Sequence, residues 1–193
     1  MISRLLRLPL AVAAIALPAA ACATTDQQAG ASQHADHSIS AKPISVTMID
    51  AKGKAIGTAT LRDTSGGLLV DLDLKGMPAG ERAFHIHQTG KCTPQDSFAS
   101  AGGHFAPAQH SHGLMVAKGP HAGDMPNLFV GKDGTVRAQV LNASVTLGAG
   151  DASLADADGS SLVIHAGPDD YTSQPAGNAG GRIACGVIFA PKP

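Results

Sequence analysis

Leu68-Leu69-Val70-Asp71-Leu72-Asp73-Leu74 alternates apolar and acidic side chains toward its end. Successive side chains of a strand point to opposite faces, so this run predicts a half-buried strand with Leu72 and Leu74 inward and Asp71 and Asp73 outward. Upstream, Ile44-Ser45-Val46-Thr47-Met48-Ile49 alternates too, Lys52-Gly53-Lys54 makes a turn, and residues 55–61 continue as a strand. Downstream, Phe84-His85-Ile86-His87 is a further strand piece, with both histidines on one face and Ile86 on the other. Residues 128–130 and 135–147 flank Lys132-Asp133-Gly134, a hairpin-like turn. Residues 161–165 and 183–189 close the chain. No stretch sustains helical periodicity. Short strands with glycine-rich turns predict an all-β fold, an antiparallel sandwich or barrel.

Tryptophan is absent, and 23 glycines stand against 5 phenylalanines. A domain so poor in large core side chains needs help from a disulfide or a metal. The formal net charge is −1 and no basic run occurs, which argues against a nucleic-acid partner.

The N-terminal part reads differently. Arg4 and Arg7 give a positive start, and residues 8–21 are apolar and uncharged. That run is too short and wrongly flanked for a bilayer span, and it ends in small residues, so residues 1–21 read as an export signal peptide. Cys22 follows Ala19-Ala20-Ala21 directly, where bacterial lipoproteins carry their acylated cysteine, although Ala19 stands where a larger aliphatic residue is usual. Plain cleavage behind Ala21 or Ala23 is the alternative. Three cysteines leave one over after a single pair, and lipidation of Cys22 would remove a free thiol. Ala23 and Thr24 include no acidic retention residue, which leans to the outer membrane. Residues 22–41 cannot build a core and read as a flexible tether. His34 and His37 within it read as incidental polar residues, with loose metal capture as the alternative. The folded domain is then 42–193.

Two segments do not fit strands, residues 89–126 and 166–181. Both are long, polar and rich in Gly and Pro, with His in the first and paired Asp in the second, and long unstructured loops in compact domains are usually functional. Of 9 histidines, seven lie between residues 85 and 165. His85 and His87 share a strand face; His104, His112 and His121 follow in the first long segment, with Asp124 three residues on; His165 ends the strand before the second. Imidazoles suit copper and zinc, whereas a calcium or magnesium site would be oxygen-rich. No cysteine falls among these residues, which argues against iron–sulfur and Cys-rich zinc sites. His-x-His alone is a weak sign, shared by cupins and zinc hydrolases; the whole set is a strong one.

In order, Phe84-His85-Ile86-His87, Gly90 and Cys92, Gly102-Gly103-His104-Phe105-Ala106-Pro107, His112-Gly113, His121-Ala122-Gly123-Asp124, residues 163–170, and Gly181-Arg182-Ile183-Ala184-Cys185-Gly186-Val187-Ile188 resemble the copper/zinc superoxide dismutase family over about residues 44–191. The bacterial periplasmic type is the most similar, given the export segment and Tyr171 after the paired aspartates. The resemblance implies a Greek-key antiparallel β-barrel, an immunoglobulin-like sandwich with long metal-binding and electrostatic loops. It implies Cu and Zn as cofactors: copper on His85, His87, His104 and His165, zinc on His104, His112, His121 and Asp124, with His104 bridging. No ligand position is replaced; Gln88 and Ala106 depart from common choices but are not ligands. Asp169 would join His85 to His112 by hydrogen bonds, with Asp170 the lesser candidate, and a ligating histidine needs its second nitrogen satisfied. Cys92 and Cys185 would form a disulfide, which suits an oxidising compartment.

The implied activity is dismutation of superoxide to dioxygen and hydrogen peroxide by cycling Cu(II)/Cu(I), with His104 and Arg182 as catalytic residues and Arg182 guiding the small anionic substrate. His110 reads as a surface residue. The expected setting is the periplasm, with membrane association only through a lipid on Cys22 at the outer membrane, as a monomer or homodimer. An exported copper/zinc-binding or storage protein without turnover is the alternative. A zinc hydrolase would need an open zinc position and a carboxylate base, which a four-ligand zinc site does not provide.

Overall fold

The strand β3 (Gly67–Leu74) buries Leu68, Val70, Leu72 and Leu74, while Asp73 is exposed and Asp71 only partly covered, as its alternation predicts. The computed structural model describes residues 42–193, so the expectations for 1–21, for the tether 22–41, and for Cys22, His34 and His37 lie outside the described residues. The remaining strands are β1 (Ile44–Asp50), β2 (Ala55–Thr64), β4 (Gly80–Arg82), β5 (Phe84–His87), β6 (Leu128–Val130), β7 (Val136–Asn142), β8 (Ser160–His165) and β9 (Arg182–Phe189). Seven of the nine described strands, β3 included, make a curled antiparallel sheet in the order β5-β8-β9-β1-β2-β3-β7, and β4 pairs with β6 separately. The last strand therefore lies beside the first, the out-of-sequence neighbour relation of an all-β Greek-key barrel. No helix among the described residues is long and apolar enough to cross a membrane.

Side chains from both halves of the sheet meet in one core that includes Val46, Met48, Leu61, Leu72, Phe84, Ile86, Leu162 and Ile164. Burial of such side chains, about 1.5–3 kcal/mol each, drives the strands together. Strands β5 and β8 are buried along their whole length on both faces. Their inner face packs into the core through Ile86, Leu162 and Ile164. On the outer face Val163 joins Phe98, Ala101 and Cys185 in a second small cluster. That cluster seats the first long loop on the barrel. The Cys92–Cys185 disulfide, Cα–Cα 5.7 Å, fastens it there across a sequence separation of 93.

Three details differ from the sequence reading. The turn at Lys132-Asp133-Gly134 forms, with Gly134 N donating to Gly131 O, Gly131 N donating to Thr135 O and Gly134 at φ 76°, but β6 and β7 on its two sides pair with β4 and β3 instead of with each other. The strand expected over 135–147 stops at Asn142, whose side chain accepts from Ser144 N (2.8 Å) and donates to Ala122 O (2.9 Å). Val145 and Leu147 stay apolar because they plug the core from a loop. Buried Asp63 ties that loop down, accepting from Thr146 Oγ1 (2.9 Å), Leu147 N (3.0 Å) and Gly148 N (3.2 Å). Two short 3-10 turns, Pro94–Asp96 and Ala99–Ala101, interrupt the first long loop.

Candidate metal centre

Strand β5 pairs with β8 in the register His85↔Val163 and His87↔Ser161, which puts both imidazoles on the outer face. His165 stands at the far end of β8, beyond a bulge at Ile164/His165. A bulge re-aims a strand's side chains, and here it turns His165 toward His85, ring centroids 5.0 Å apart. His104 comes from the first loop, which lies against β5 through isolated bridges His87↔His104 and His85↔Asp124. Gly123 permits that approach, since a Cβ there would overlap the Ile86 carbonyl. His85, His87, His104 and His165 are all buried.

Each imidazole of this group is anchored through one nitrogen. His85 Nε2 lies 2.8 Å from Asp169 Oδ2, His87 Nδ1 donates to Gly102 O at 3.0 Å, His165 Nδ1 donates to Gly180 O at 3.2 Å, and His104 Nδ1 lies 2.8 Å from Asp124 Oδ1. The other nitrogens, His85 Nδ1, His87 Nε2, His104 Nε2 and His165 Nε2, are buried and have no hydrogen-bond partner. An unpaired buried polar atom is costly, and four converging ones call for a shared occupant. One ligand atom from each residue falls within 4.8 Å of all the others, the spacing of a single metal site. Desolvation lowers the pKa of His85 to about 4, against the pull of Asp169, and that of His165 to about 3, helped by His85, His104 and Arg182; His87 is also held well below its usual value, chiefly by burial. These rings are neutral at pH 7, with a lone pair free for a cation.

A second group shares His104. The Nδ1 atoms of His104, His112 and His121 lie 2.8, 3.1 and 3.4 Å from Asp124 Oδ1. The other carboxylate oxygen is occupied by Gly113 N (2.9 Å) and His121 N (3.0 Å). Burial alone would raise the Asp124 pKa, but the bonds from His104, His112 and Gly113 hold it far below the usual carboxylate range. Three imidazoles and one carboxylate suit zinc, and an all-imidazole set suits copper. His104 faces both groups, Nδ1 to one and the unpaired Nε2 to the other.

Asp169 links the groups from behind: Oδ2 meets His85 Nε2, and Oδ1 meets His112 Nε2 at 3.0 Å. Gly177 sits against this link at φ 65°, where a Cβ would collide with the Asp169 carboxylate. Asp170 turns away and bonds Thr172 and Ser173 of its own loop. His110 is exposed, bonded to Pro120 O, and belongs to neither group. Arg182 Nη1 donates to Phe98 O and Nη2 to Gly102 O, both at 2.5 Å, so the guanidinium and His87 share the Gly102 carbonyl. Sequence reasoning missed Asn127 and Gln174, whose side-chain amides bond the backbones of Asp169 and His112. A lone amide in a polar loop carries no signature that would single it out.

The sequence profile described as "Copper/zinc superoxide dismutase (SODC)" matches residues 55–188. The chain is 54% identical over 143 residues to "Superoxide dismutase [Cu-Zn] 2" of Aquifex aeolicus, covering 73% of this chain and 83% of that one. It is 45% identical over 139 residues to "Superoxide dismutase [Cu-Zn]" of Caulobacter vibrioides, covering 70% and 79%. Among solved structures it is similar to a SOD-like protein from Bacillus subtilis (TM-score 0.71, 36% identity, 75% of this chain and 97% of that one). It is also similar to the Cu/Zn superoxide dismutase from Brucella abortus (TM-score 0.63, 29% identity, 76% and 99%).

Proposed function

Since the chain belongs to the copper/zinc superoxide dismutase family, we propose that it converts superoxide to dioxygen and hydrogen peroxide. The observation that carries this reading is the convergence of four unpaired imidazole nitrogens beside one guanidinium. Copper, held by His85, His87, His104 and His165, would supply the one-electron chemistry by cycling Cu(II)/Cu(I), and zinc, held by His104, His112, His121 and Asp124, would serve as a structural ion. The chain's own work is to hold, guide and supply protons. His104 Nε2 is the proton-carrying atom: protonated between the two half-reactions, it gives that proton up as hydrogen peroxide forms, the second proton coming from solvent. Its Nδ1, fixed toward Asp124, keeps the ring in place meanwhile. Asp169 fixes the ring of His85. Arg182 draws the small anion in and orients it by hydrogen bonding. Replacing His165 by Ala should abolish turnover while zinc remains bound; undiminished turnover would refute this assignment.

We also propose export to the periplasm, with the chain tethered to the outer membrane through lipid on Cys22. Support comes from the uncharged apolar run of residues 8–21, from the small residues before Cys22, and from a disulfide that needs an oxidising compartment. Mass spectrometry of the mature N-terminus decides it: acyl mass on Cys22 supports the tether, and an unmodified Cys22 refutes it.

A further inference from the structure

The Asp169 carboxylate can join the two groups only if the loop that carries it and the loop that carries His112 are held in fixed relation. Neither loop is a strand, and each is rich in glycine. Two side-chain amides cross between them in opposite directions. Asn127, at the end of the first loop, accepts from Asp169 N through Oδ1 (2.9 Å) and donates from Nδ2 to Asp169 O (3.0 Å). Gln174, in the second loop, accepts from His112 N through Oε1 (3.0 Å) and donates from Nε2 to His112 O (2.8 Å). Each amide thus takes both the donor and the acceptor of one residue's backbone. The two residues so gripped are the two ends of the 3.0 Å contact between His112 Nε2 and Asp169 Oδ1.

We propose that Asn127 and Gln174 are positioning residues, a reciprocal pair of amide clamps that fix Asp169 against His112 and thereby set how firmly the His104–His112–His121–Asp124 group holds its ion. The inference rests on the reading of that group as a zinc site. Their neighbours extend the arrangement. Asn127 N donates to Tyr171 Oη (2.9 Å), Tyr171 N donates to Asp169 Oδ1 (2.6 Å), and Asn127 Nδ2 also reaches Glu81 Oε1 (3.0 Å). Gln174 Nε2 has a second acceptor in Thr172 O (3.1 Å), which orients the amide before it meets His112. Fixing the His112 backbone and the far nitrogen of its ring leaves Nδ1 one direction to face, toward Asp124. Groups behind a metal ligand act in this way on affinity.

The test is zinc affinity of the protein by chelator competition, with copper absent and no turnover involved. Replacement of Gln174 by Leu, which removes both clamp bonds at an exposed position, should weaken zinc binding about tenfold, and Asn127→Ala by a similar factor. Gln174→Glu keeps the acceptor for His112 N, loses the donor and should fall between. In an Asp169→Ala background the Gln174→Leu loss should shrink to less than about threefold, because the amide would then have no carboxylate to aim. Unchanged zinc affinity in Gln174→Leu overturns the inference. So does a full tenfold loss in the Asp169→Ala background, which would make the amide a loop fastener. If Asn127→Ala does not fold, the Gln174 series decides alone. Zinc binding without superoxide turnover in the parent would sink the dismutase reading and leave the clamps standing.

Discussion

His165 and Arg182 are partners across β8 and β9, so an imidazole with an unpaired nitrogen and a guanidinium leave the barrel side by side. The pairing register puts a cation next to the all-imidazole group, tied to the loop carbonyls of Phe98 and Gly102. Arg182 is part-buried, and desolvation lowers its pKa, but it remains charged at neutral pH. Changing Arg182 to a neutral residue should slow superoxide turnover several-fold and flatten its dependence on ionic strength, since screening acts on the steering charge. Rates of both proteins across a salt series check this; an unchanged rate refutes the guiding role.

His104 belongs to both groups while His121 belongs to one. His104→Ala should therefore weaken copper and zinc together, and His121→Ala should weaken zinc mainly. Metal content after dialysis, read for both ions, separates the two patterns. Equal loss of copper in both variants would contradict the assignment of ligand sets.

The disulfide joins a loop residue, Cys92, to Cys185, which is fully buried on β9. Closing so long a segment restricts the unfolded chain and is worth about 2–4 kcal/mol. Cys92→Ser should lower the stability of the metal-free domain by that amount in denaturant titrations. It should also loosen the loop around Phe98 and Ala101, which shares the small outer cluster. A midpoint that does not move would show that the loop is held by packing alone.

Acid should destabilise the metal-free domain well above the usual carboxylate range. His85 has a folded pKa of about 4 and His165 of about 3, both against 6.5 when unfolded, with desolvation the largest cause. Between those values the unfolded chain binds more protons, so stability is fully present above pH 6.5 and drains away as pH falls toward 3, at up to about 1.4 kcal/mol per unit for each group. Asp169, lowered to about 2 where burial alone would raise it, adds to the loss below pH 4. His112 works in the opposite direction. Burial lowers its pKa, but the bonds to Asp124 and Asp169 outweigh that and raise it, so its contribution is present below 6.5 and is lost as pH rises. The lowered histidines outnumber it. The melting temperature of the metal-free domain should fall by several degrees from pH 7 to pH 4; a flat profile refutes the burial argument.

Much of this was legible in the chain. The alternation of residues 68–74 fixes which face of β3 enters the core, and six histidines with Asp124 mark the two ligand groups. What sequence could not supply depends on tertiary packing. β4 is three residues long and pairs with β6, so neither neighbour in sequence announces it. Apolar Val145 and Leu147 look like a continuing strand because strand periodicity records burial, and a plugging loop buries the same residues. Asp63, Asn127 and Gln174 act by bonding distant backbone, a role that leaves no periodic trace.

The most direct measurement is the rate of superoxide loss with the oxidised domain loaded with copper and zinc, against the same protein loaded with zinc alone. Fast turnover that requires copper is the predicted result, and it would place the chemistry at His85, His87, His104 and His165. Absence of turnover, with both ions verified in place, would contradict the account and leave a metal-binding protein on this scaffold.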